Sequence, residues 1–449
     1  MTQAAQIISF QDIKDTRAED RKAGGLAMDQ IKIRGGNRLN GNIRISGAKN
    51  AALPLLCTGL LTDTPITFSN MPVSLGDIKT LSAVLAELGT DIRLIDENTM
   101  ELGTPTLKSK RAPYELVRKM RASVLVLGPL LGRFGEAEVS LPGGCAIGTR
   151  PVDLHISALE EMGAIITLED GYVKAKTEQG GLVGADIKFA KVSVGATENI
   201  MMAAVLAKGT TTLHNAAQEP EIVDLGECLI KMGAKINGLG TSTITIDGVP
   251  ALHGCDHSVL PDRIETGTWM IATALTGGEV TLENGRLDTL TALIDPLRKA
   301  GVQIEERGDD IFVHRNGKPL VGTDIMTEPY PGFPTDMQAQ FMTLLTLCQG
   351  AGMVTETIFE NRFMHVPELC RMGADITVQG NSAIIRGVDT LKGAEVMATD
   401  LRASVALVLA ALVADGETTI NRVYHLDRGY EDIVKKLGAC GADIRRAKE

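Results

Sequence analysis

Six glycines, each closing the same short pattern, constrain this chain more than any other feature. An apolar helical turn runs into a Gly and then into a short apolar strand. The pattern appears at Leu88-Gly89-Thr90-Asp91-Ile92, Met162-Gly163-Ala164-Ile165-Ile166 and Met232-Gly233-Ala234-Lys235-Ile236. It returns at Ala300-Gly301-Val302-Gln303-Ile304, Met372-Gly373-Ala374-Asp375-Ile376 and Cys440-Gly441-Ala442-Asp443-Ile444. Successive glycines are 74, 70, 68, 72 and 68 residues apart. Gly just past a helix is the expected left-handed stop. The chain is therefore six copies of one unit of about 70 residues.

Each copy also carries a strand such as Thr211-Thr212-Leu213-His214-Asn215 or Val280-Thr281-Leu282-Glu283-Asn284, and an amphipathic helix such as the one from Asp77 to Leu88. Before each such strand lies an almost wholly apolar stretch. These predict helices over 51–61, 122–131, 200–206, 269–275, 340–347 and 403–413. A helix apolar on all sides is a buried one. Six buried helices wrapped by strands and outer helices give an α/β architecture, and a period near 70 is too long for an open solenoid. The length favours two closed domains of three units each.

The bulk numbers narrow the class. At 449 residues with 44% hydrophobic and 22% charged residues, the chain can bury large cores. Its apolar runs are shorter than the roughly 20 residues a bilayer span needs. Residues 1–27 lack the apolar core of a secretion signal and carry scattered charges, so they read as an extension with no inferred function. A net charge of −11 argues against a nucleic-acid binder. Seven scattered cysteines without CxxC pairs indicate reduced thiols and a cytoplasmic protein. No histidine spacing suggests a metal, and no Walker or GxGxxG loop suggests a nucleotide held in the usual ways.

Charge gathers at the starts of the buried helices. They read Ser46-Gly47-Ala48-Lys49-Asn50, Lys119-Met120-Arg121-Ala122-Ser123 and Lys191-Val192-Ser193-Val194-Gly195 in the first half. In the second they read Asp262-Arg263-Ile264-Glu265-Thr266, Pro334-Thr335-Asp336-Met337-Gln338 and Thr399-Asp400-Leu401-Arg402-Ala403. Two readings stand. Ser, Asp and Thr can be ordinary N-caps. Alternatively several helix N-termini converge on a multiply charged anion, phosphate being the obvious one. Capping explains Lys49, Arg121 and Arg402 poorly, since a cation at a helix start opposes the dipole unless an anion lies nearby.

One copy departs from the rest. The second carries the glycine-rich loop Gly143-Gly144-Cys145-Ala146-Ile147-Gly148, followed by Thr149-Arg150-Pro151. A thiol in such a loop is expected to be exposed, and Arg150 can lower its pKa. Cys145 is a candidate nucleophile or, when protonated, a proton donor. His155 either turns toward it or simply lines the next helix. The equivalent place in other copies carries Glu219, Arg362 and Arg428, candidates for phosphate or carboxylate contacts.

These segments resemble a known family. The stretches Ser46 to Pro54, Leu141 to Gly148, Arg150 to His155, Pro261 to Thr268, Phe333 to Gln340 and Asp400 to Ser404 are similar to those of the UDP-N-acetylglucosamine 1-carboxyvinyltransferases, from about Met28 to the C-terminus. The resemblance implies transfer of enolpyruvyl from phosphoenolpyruvate to the 3′-hydroxyl of UDP-N-acetylglucosamine, with release of phosphate, in peptidoglycan synthesis. It implies two inverse α/β barrel domains closing over a cleft: residues 50–258, and a discontinuous one of 28–49 plus 259–449. Phosphoenolpyruvate would be held by Lys49, Asn50, Arg150 and Arg428. The UDP-sugar would meet Arg121, Arg150, Pro151, Val152, Asp153, Leu154, Lys191, Val192, Ser193, Val194, Asp336 and Ile358. Asp336 would be the base, with Lys49 and Cys145 the other catalytic groups. Cys145 would donate a proton and be alkylated by fosfomycin. Glu219, Arg362, Asp400 and Arg402 would support them. No cofactor or metal is implied. The rivals are a transferase acting on shikimate 3-phosphate, a non-catalytic nucleotide-sugar binder and a repeat scaffold for protein partners.

Overall fold

A computed structural model describes residues 29–117, 120–141, 152–178, 180–315 and 317–448. Among them are six four-stranded sheets, all wired alike. The third copy shows the plan. An edge strand, Asp186–Lys188, precedes the buried helix Val194–Ala204, which leads to strand Thr210–His214. That strand lies parallel to the first, as a helical crossover requires. An outer helix, Pro220–Lys231, then delivers the chain through Gly233 to the hairpin of Lys235–Asn237 and Thr243–Asp247. The last strand of the hairpin enters between the outer and inner positions, pairing antiparallel with Thr210–His214.

Two compact units each hold three copies. One runs from Gly47 to Leu260, the other takes the strands before Gly47 and the chain from Pro261 onward. The copies are not consecutive throughout. Strand Asn40–Arg44 pairs in parallel with Glu279–Glu283 and so completes the fourth copy's sheet. Strand Asp29–Arg34 sits between Glu417–Asn421 and Asp443–Lys448, completing the sixth. The first copy's edge strand comes from far along the chain: Asp256–Ser258 pairs with Ile66–Ser69.

All six repeat glycines are left-handed, with φ between 89° at Gly163 and 119° at Gly89. The outer helix can stop and reverse into its strand there because no Cβ opposes that conformation. The apolar stretches form the helices Lys49–Thr58, Leu127–Phe134, Val194–Ala204, Arg263–Thr276, Gln338–Leu345 and Ser404–Ala411. Several differ from the apolar run that predicted them. The helix of the third copy starts six residues before Ile200, because Ser193 Oγ accepts from Ala196 N at 3.3 Å and caps it. That of the fourth starts six residues before Trp269, because Asp262 Oδ1 accepts from Ile264 N and Glu265 N at 2.8 and 3.0 Å. Residues 121–126 form a 3-10 turn ahead of Leu127. The polar first turns are therefore inside the helices and largely buried, and each unit has its own apolar core around them. No helix among the described residues is long and apolar enough to cross a membrane.

Gly373 isolates the cost of the left-handed stop, since a Cβ there would meet nothing within 4 Å. Gly373→Ala is expected to lower stability by about 1–2 kcal/mol. Urea unfolding followed by the fluorescence of the lone tryptophan, Trp269, checks this; an unchanged midpoint would contradict it.

Candidate active site

Each unit gathers the predicted polar residues at the starts of its buried helices. In the unit running from Gly47 to Leu260, Lys49 opens the first buried helix with no side-chain cap before it. Its ammonium lies 3.5 Å from Asp77 Oδ2, and its side chain is only 8% exposed. The chain's own carboxylate is thus the anion beside this unfavourably placed cation. Asn50 follows it, half-buried. Arg121 opens the 3-10 turn of the second copy and is half-buried.

His155 lies among Asn199, Asp153 and Arg121. Asn199 Nδ2 lies 2.9 Å from its Nδ1. An amide nitrogen only donates, so Nδ1 accepts and the proton rests on Nε2. Asn199 is itself fixed, accepting from Gly128 N at 2.7 Å and donating to Val124 O at 3.2 Å. Burial pushes His155 down to about 4, helped by Arg121 and opposed by Asp153, so the ring is neutral. Its Cε1 lies 3.5 Å from where a side chain at Gly195 would begin. Glycine there lets the ring pack on the first turn of the Val194–Ala204 helix. Lys191, Val192 and Ser193 lead into that turn, with Lys191 exposed and Val192, Ser193 and Val194 half-buried. Val152 caps the helix Asp153–Glu161, whose Asp153 is exposed and Leu154 half-buried.

Three carboxylates form a second feature of this unit. Glu219 is the N-cap residue of the Pro220–Lys231 helix and Glu221 lies in its first turn. Both act on Glu198, which burial above all pushes well above the ordinary carboxylate range.

In the other unit the site is an ion network. Arg362 Nη2 donates to Asp336 Oδ1 at 2.6 Å, and Nη1 donates to Thr335 Oγ1 at 2.9 Å. Arg402 Nη2 donates to Asp262 Oδ2 at 3.0 Å and Nη1 to Gly429 O at 2.8 Å. Its Nε lies 3.7 Å from Asp336 Oδ2. Arg362 and Arg402 are almost wholly buried, whereas Asp336 is 24% exposed. Burial opposes charge on both arginines, but the carboxylates around them outweigh it and hold them above the ordinary range. Asp400 Oδ1 accepts from Arg402 N and Ala403 N at 2.8 and 2.6 Å. Glu356 fixes Ile358 by accepting from its backbone N–H at 2.8 Å. Arg428 ends the 3-10 turn Val423–Arg428 beside His425, which burial and then Arg428 push down.

Sequence reasoning thus found groups that the fold assembles: Asp336, Arg362, Asp400 and Arg402 on one unit, Arg121 and Asp153 around His155 on the other. Glu219, Arg362 and Arg428 all lie between an inner strand and the outer helix that follows it, as the repeat predicts. Cys145, Arg150 and Pro151 lie outside the described residues. Sequence reasoning missed Asp77, Asn199, Glu198 and Glu221, and assigned no role to Asp262. Thr197-Glu198-Asn199 interrupts an otherwise apolar helix, and that was the available signal; nothing local marks Asp77 as the partner of Lys49. Among the described residues, no cluster of His, Cys, Asp or Glu could hold a metal ion.

Comparison with known proteins gives one consistent result. The family model for EPSP synthase (3-phosphoshikimate 1-carboxyvinyltransferase) matches residues 33–437. The UDP-N-acetylglucosamine 1-carboxyvinyltransferase of Granulibacter bethesdensis is 61% identical over 422 residues, covering 93% of this chain and 99% of that one. The protein of the same name from Rhodospirillum centenum is 59% identical, covering 94% and 100%. Among solved structures, the enolpyruvyl transferase NikO from Streptomyces tendae aligns with a TM-score of 0.84 at 25% identity, over 94% of this chain and 100% of that one. An EPSP synthase from Acinetobacter baumannii, 18% identical with a TM-score of 0.73 over 93% of this chain and 100% of its own, shares the fold.

The buried neutral histidine makes stability pH-dependent. The unfolded chain protonates His155 near 6.5, whereas the folded chain resists until about 4. Its contribution is complete above pH 6.5 and is lost as pH falls toward 4, to a total of about 3 kcal/mol. Amide protection factors in the Asp153–Glu161 and Val194–Ala204 helices, taken against the intrinsic exchange rate at each pH, should fall over that interval, and His155→Gln should flatten the response. An equal response in the variant would contradict the assignment.

Proposed function

We infer the reaction from one premise: the chain belongs to the UDP-N-acetylglucosamine 1-carboxyvinyltransferase family of enolpyruvyl transferases. The protein transfers the enolpyruvyl group of phosphoenolpyruvate to the 3′-hydroxyl of UDP-N-acetylglucosamine and releases phosphate, the first committed step of peptidoglycan synthesis. The observation that carries this is identity near 60% over essentially the whole length of relatives bearing that name. It separates this acceptor from shikimate 3-phosphate, because the EPSP synthase likeness in structure stands at only 18% identity. These substrates are soluble anions of the cell interior, so the reading places the protein in the cytoplasm.

The proposed chemistry is addition followed by elimination. A proton adds to the methylene carbon of the enol while the sugar hydroxyl oxygen bonds to the neighbouring carbon and loses its proton. The tetrahedral adduct then expels phosphate and returns a methyl proton, restoring the double bond. This takes an acid and a base on opposite sides of the reacting carbons. Cys145 is the proposed acid, and its thiolate is also the group that fosfomycin, an epoxide, would alkylate. Asp336 is the proposed base. Its half-exposed position at a helix start suits access to a substrate, and Arg362 supports its orientation.

Charge supports the remaining roles. Lys49, Asn50, Arg150 and Arg428 are proposed to hold the phosphate and carboxylate of phosphoenolpyruvate throughout the reaction. Arg121, the segment from Arg150 to Leu154, the segment from Lys191 to Val194, Asp336 and Ile358 are proposed to bind the UDP-sugar. Glu219, Asp400 and Arg402 complete the polar support.

Phosphate release from phosphoenolpyruvate is expected with UDP-N-acetylglucosamine and absent with shikimate 3-phosphate. Asp336→Asn should lower kcat by about 100-fold to 10,000-fold. Release with the shikimate ester alone would overturn the acceptor, and a near-normal kcat in Asp336→Asn would move the base elsewhere.

A further inference from the structure

Two thiols meet near the end of the Pro220–Lys231 helix. Cys228 is fully buried on that helix, and Cys255 is half-buried in the segment leading to strand Asp256–Ser258. The two cysteines are adjacent: Cys255 Sγ lies 4.0 Å from the Cys228 carbonyl oxygen. A polar chain flanks the pair. Lys231 Nζ lies 3.2 Å from His257 Nδ1, and His257 Nε2 lies 3.0 Å from Asp224 Oδ1. The ammonium only donates, so Nδ1 accepts and Nε2 carries the proton to Asp224.

We propose that Cys228 and Cys255 form an oxidation-sensitive thiol pair, in which a peroxide oxidises Cys255 and Cys228 then closes a disulfide. The Cys255 thiolate attacks one peroxide oxygen. The O–O bond breaks, sulfur gains the oxygen as a sulfenic acid, and the other oxygen leaves as water or alcohol after taking a proton. The Cys228 sulfur, giving up its proton, then attacks the sulfenic sulfur and expels water. Two electrons pass from the thiol pair to the peroxide, and an external thiol reverses the change.

The chemical setting favours Cys255 as the attacking member. The hydrogen bond from Cys228 is the largest influence on it, and His257 and Lys231 act in the same direction, bringing it down to about 7. Cys228 moves up for the reciprocal reason and by burial. The other described thiols offer no such pair: burial raises Cys57, Cys348 and Cys440, and Cys370 is exposed. A thiol lowered in this way is more fully ionised at neutral pH, and its lower intrinsic nucleophilicity offsets only part of that gain. The bond would join the Pro220–Lys231 helix covalently to the strand that completes the first copy's sheet.

The test uses the full chain, treated with hydrogen peroxide at pH 7, with free thiols blocked and the peptides mapped by mass spectrometry. Expected is a Cys228–Cys255 linked peptide two hydrogens lighter than its components, reversed by dithiothreitol. Cys255 should be oxidised before exposed Cys370. In Cys228→Ala, a sulfenic acid at Cys255 should instead be trapped by dimedone. Oxidation confined to other cysteines, or a Cys255 sulfenic or sulfinic acid in the unmutated protein without the link, would overturn the proposal.

Discussion

The Arg402 guanidinium is the constraint on which the second unit's polar site depends. It starts in the turn before one buried helix, donates to Asp262 at the cap of a second, and lies against Asp336 at the start of a third. Its remaining terminal nitrogen is taken by the Gly429 carbonyl, and its face lies 5.3 Å from the Tyr430 ring. Three copies of the repeat therefore meet at one cation. Such a buried network need not add stability over an apolar replacement, because desolvating the charges costs about as much as their attraction returns. Removing one member is different, since it strands a charge without a partner. What the network contributes is position: Asp336 accepts from Arg362 on one oxygen and faces Arg402 on the other.

The same physics governs the helix starts generally. A buried helix presents free N–H groups at its first turn, and these must be met. Asp262, Ser193 and Asp400 meet some of them from within the chain. Lys49 and Arg402 bring cations to places the helix dipole disfavours, and Asp77 and Asp262 offset them. The repeat that stacks the copies thereby gathers pre-charged, partly buried groups at each unit's helix starts. Enolpyruvyl transfer between two multiply charged substrates calls for groups of this kind.

The periodic parts of the fold were legible in sequence because their causes are local. A left-handed stop needs glycine, and Gly89 to Gly441 all adopt positive φ. Buried helices read as apolar runs, although their true starts at Val194 and Arg263 were hidden by polar caps that belong to the helix. Long-range pairings had no local signature. Nothing near Lys49 names Asp77, and nothing near His257 names Asp224 or the thiols beside them. Asn40–Arg44 pairs with a strand more than two hundred residues later, and strand propensity alone could not supply that partner. Arg402 was legible as an anomaly, a cation where the dipole opposes one; its neutralising carboxylate came only with the fold.

Arg402 and Asp262 act as one unit in fixing the starts of the second unit's buried helices. A double-mutant cycle with Arg402→Met, Asp262→Asn and both together measures it most directly, read by urea unfolding of Trp269, which is buried in the same unit. A coupling energy of about 2 kcal/mol or more is expected, with the double variant more stable than the sum of the singles implies. Additivity within about 0.5 kcal/mol would contradict it, and would make the contact incidental to the architecture.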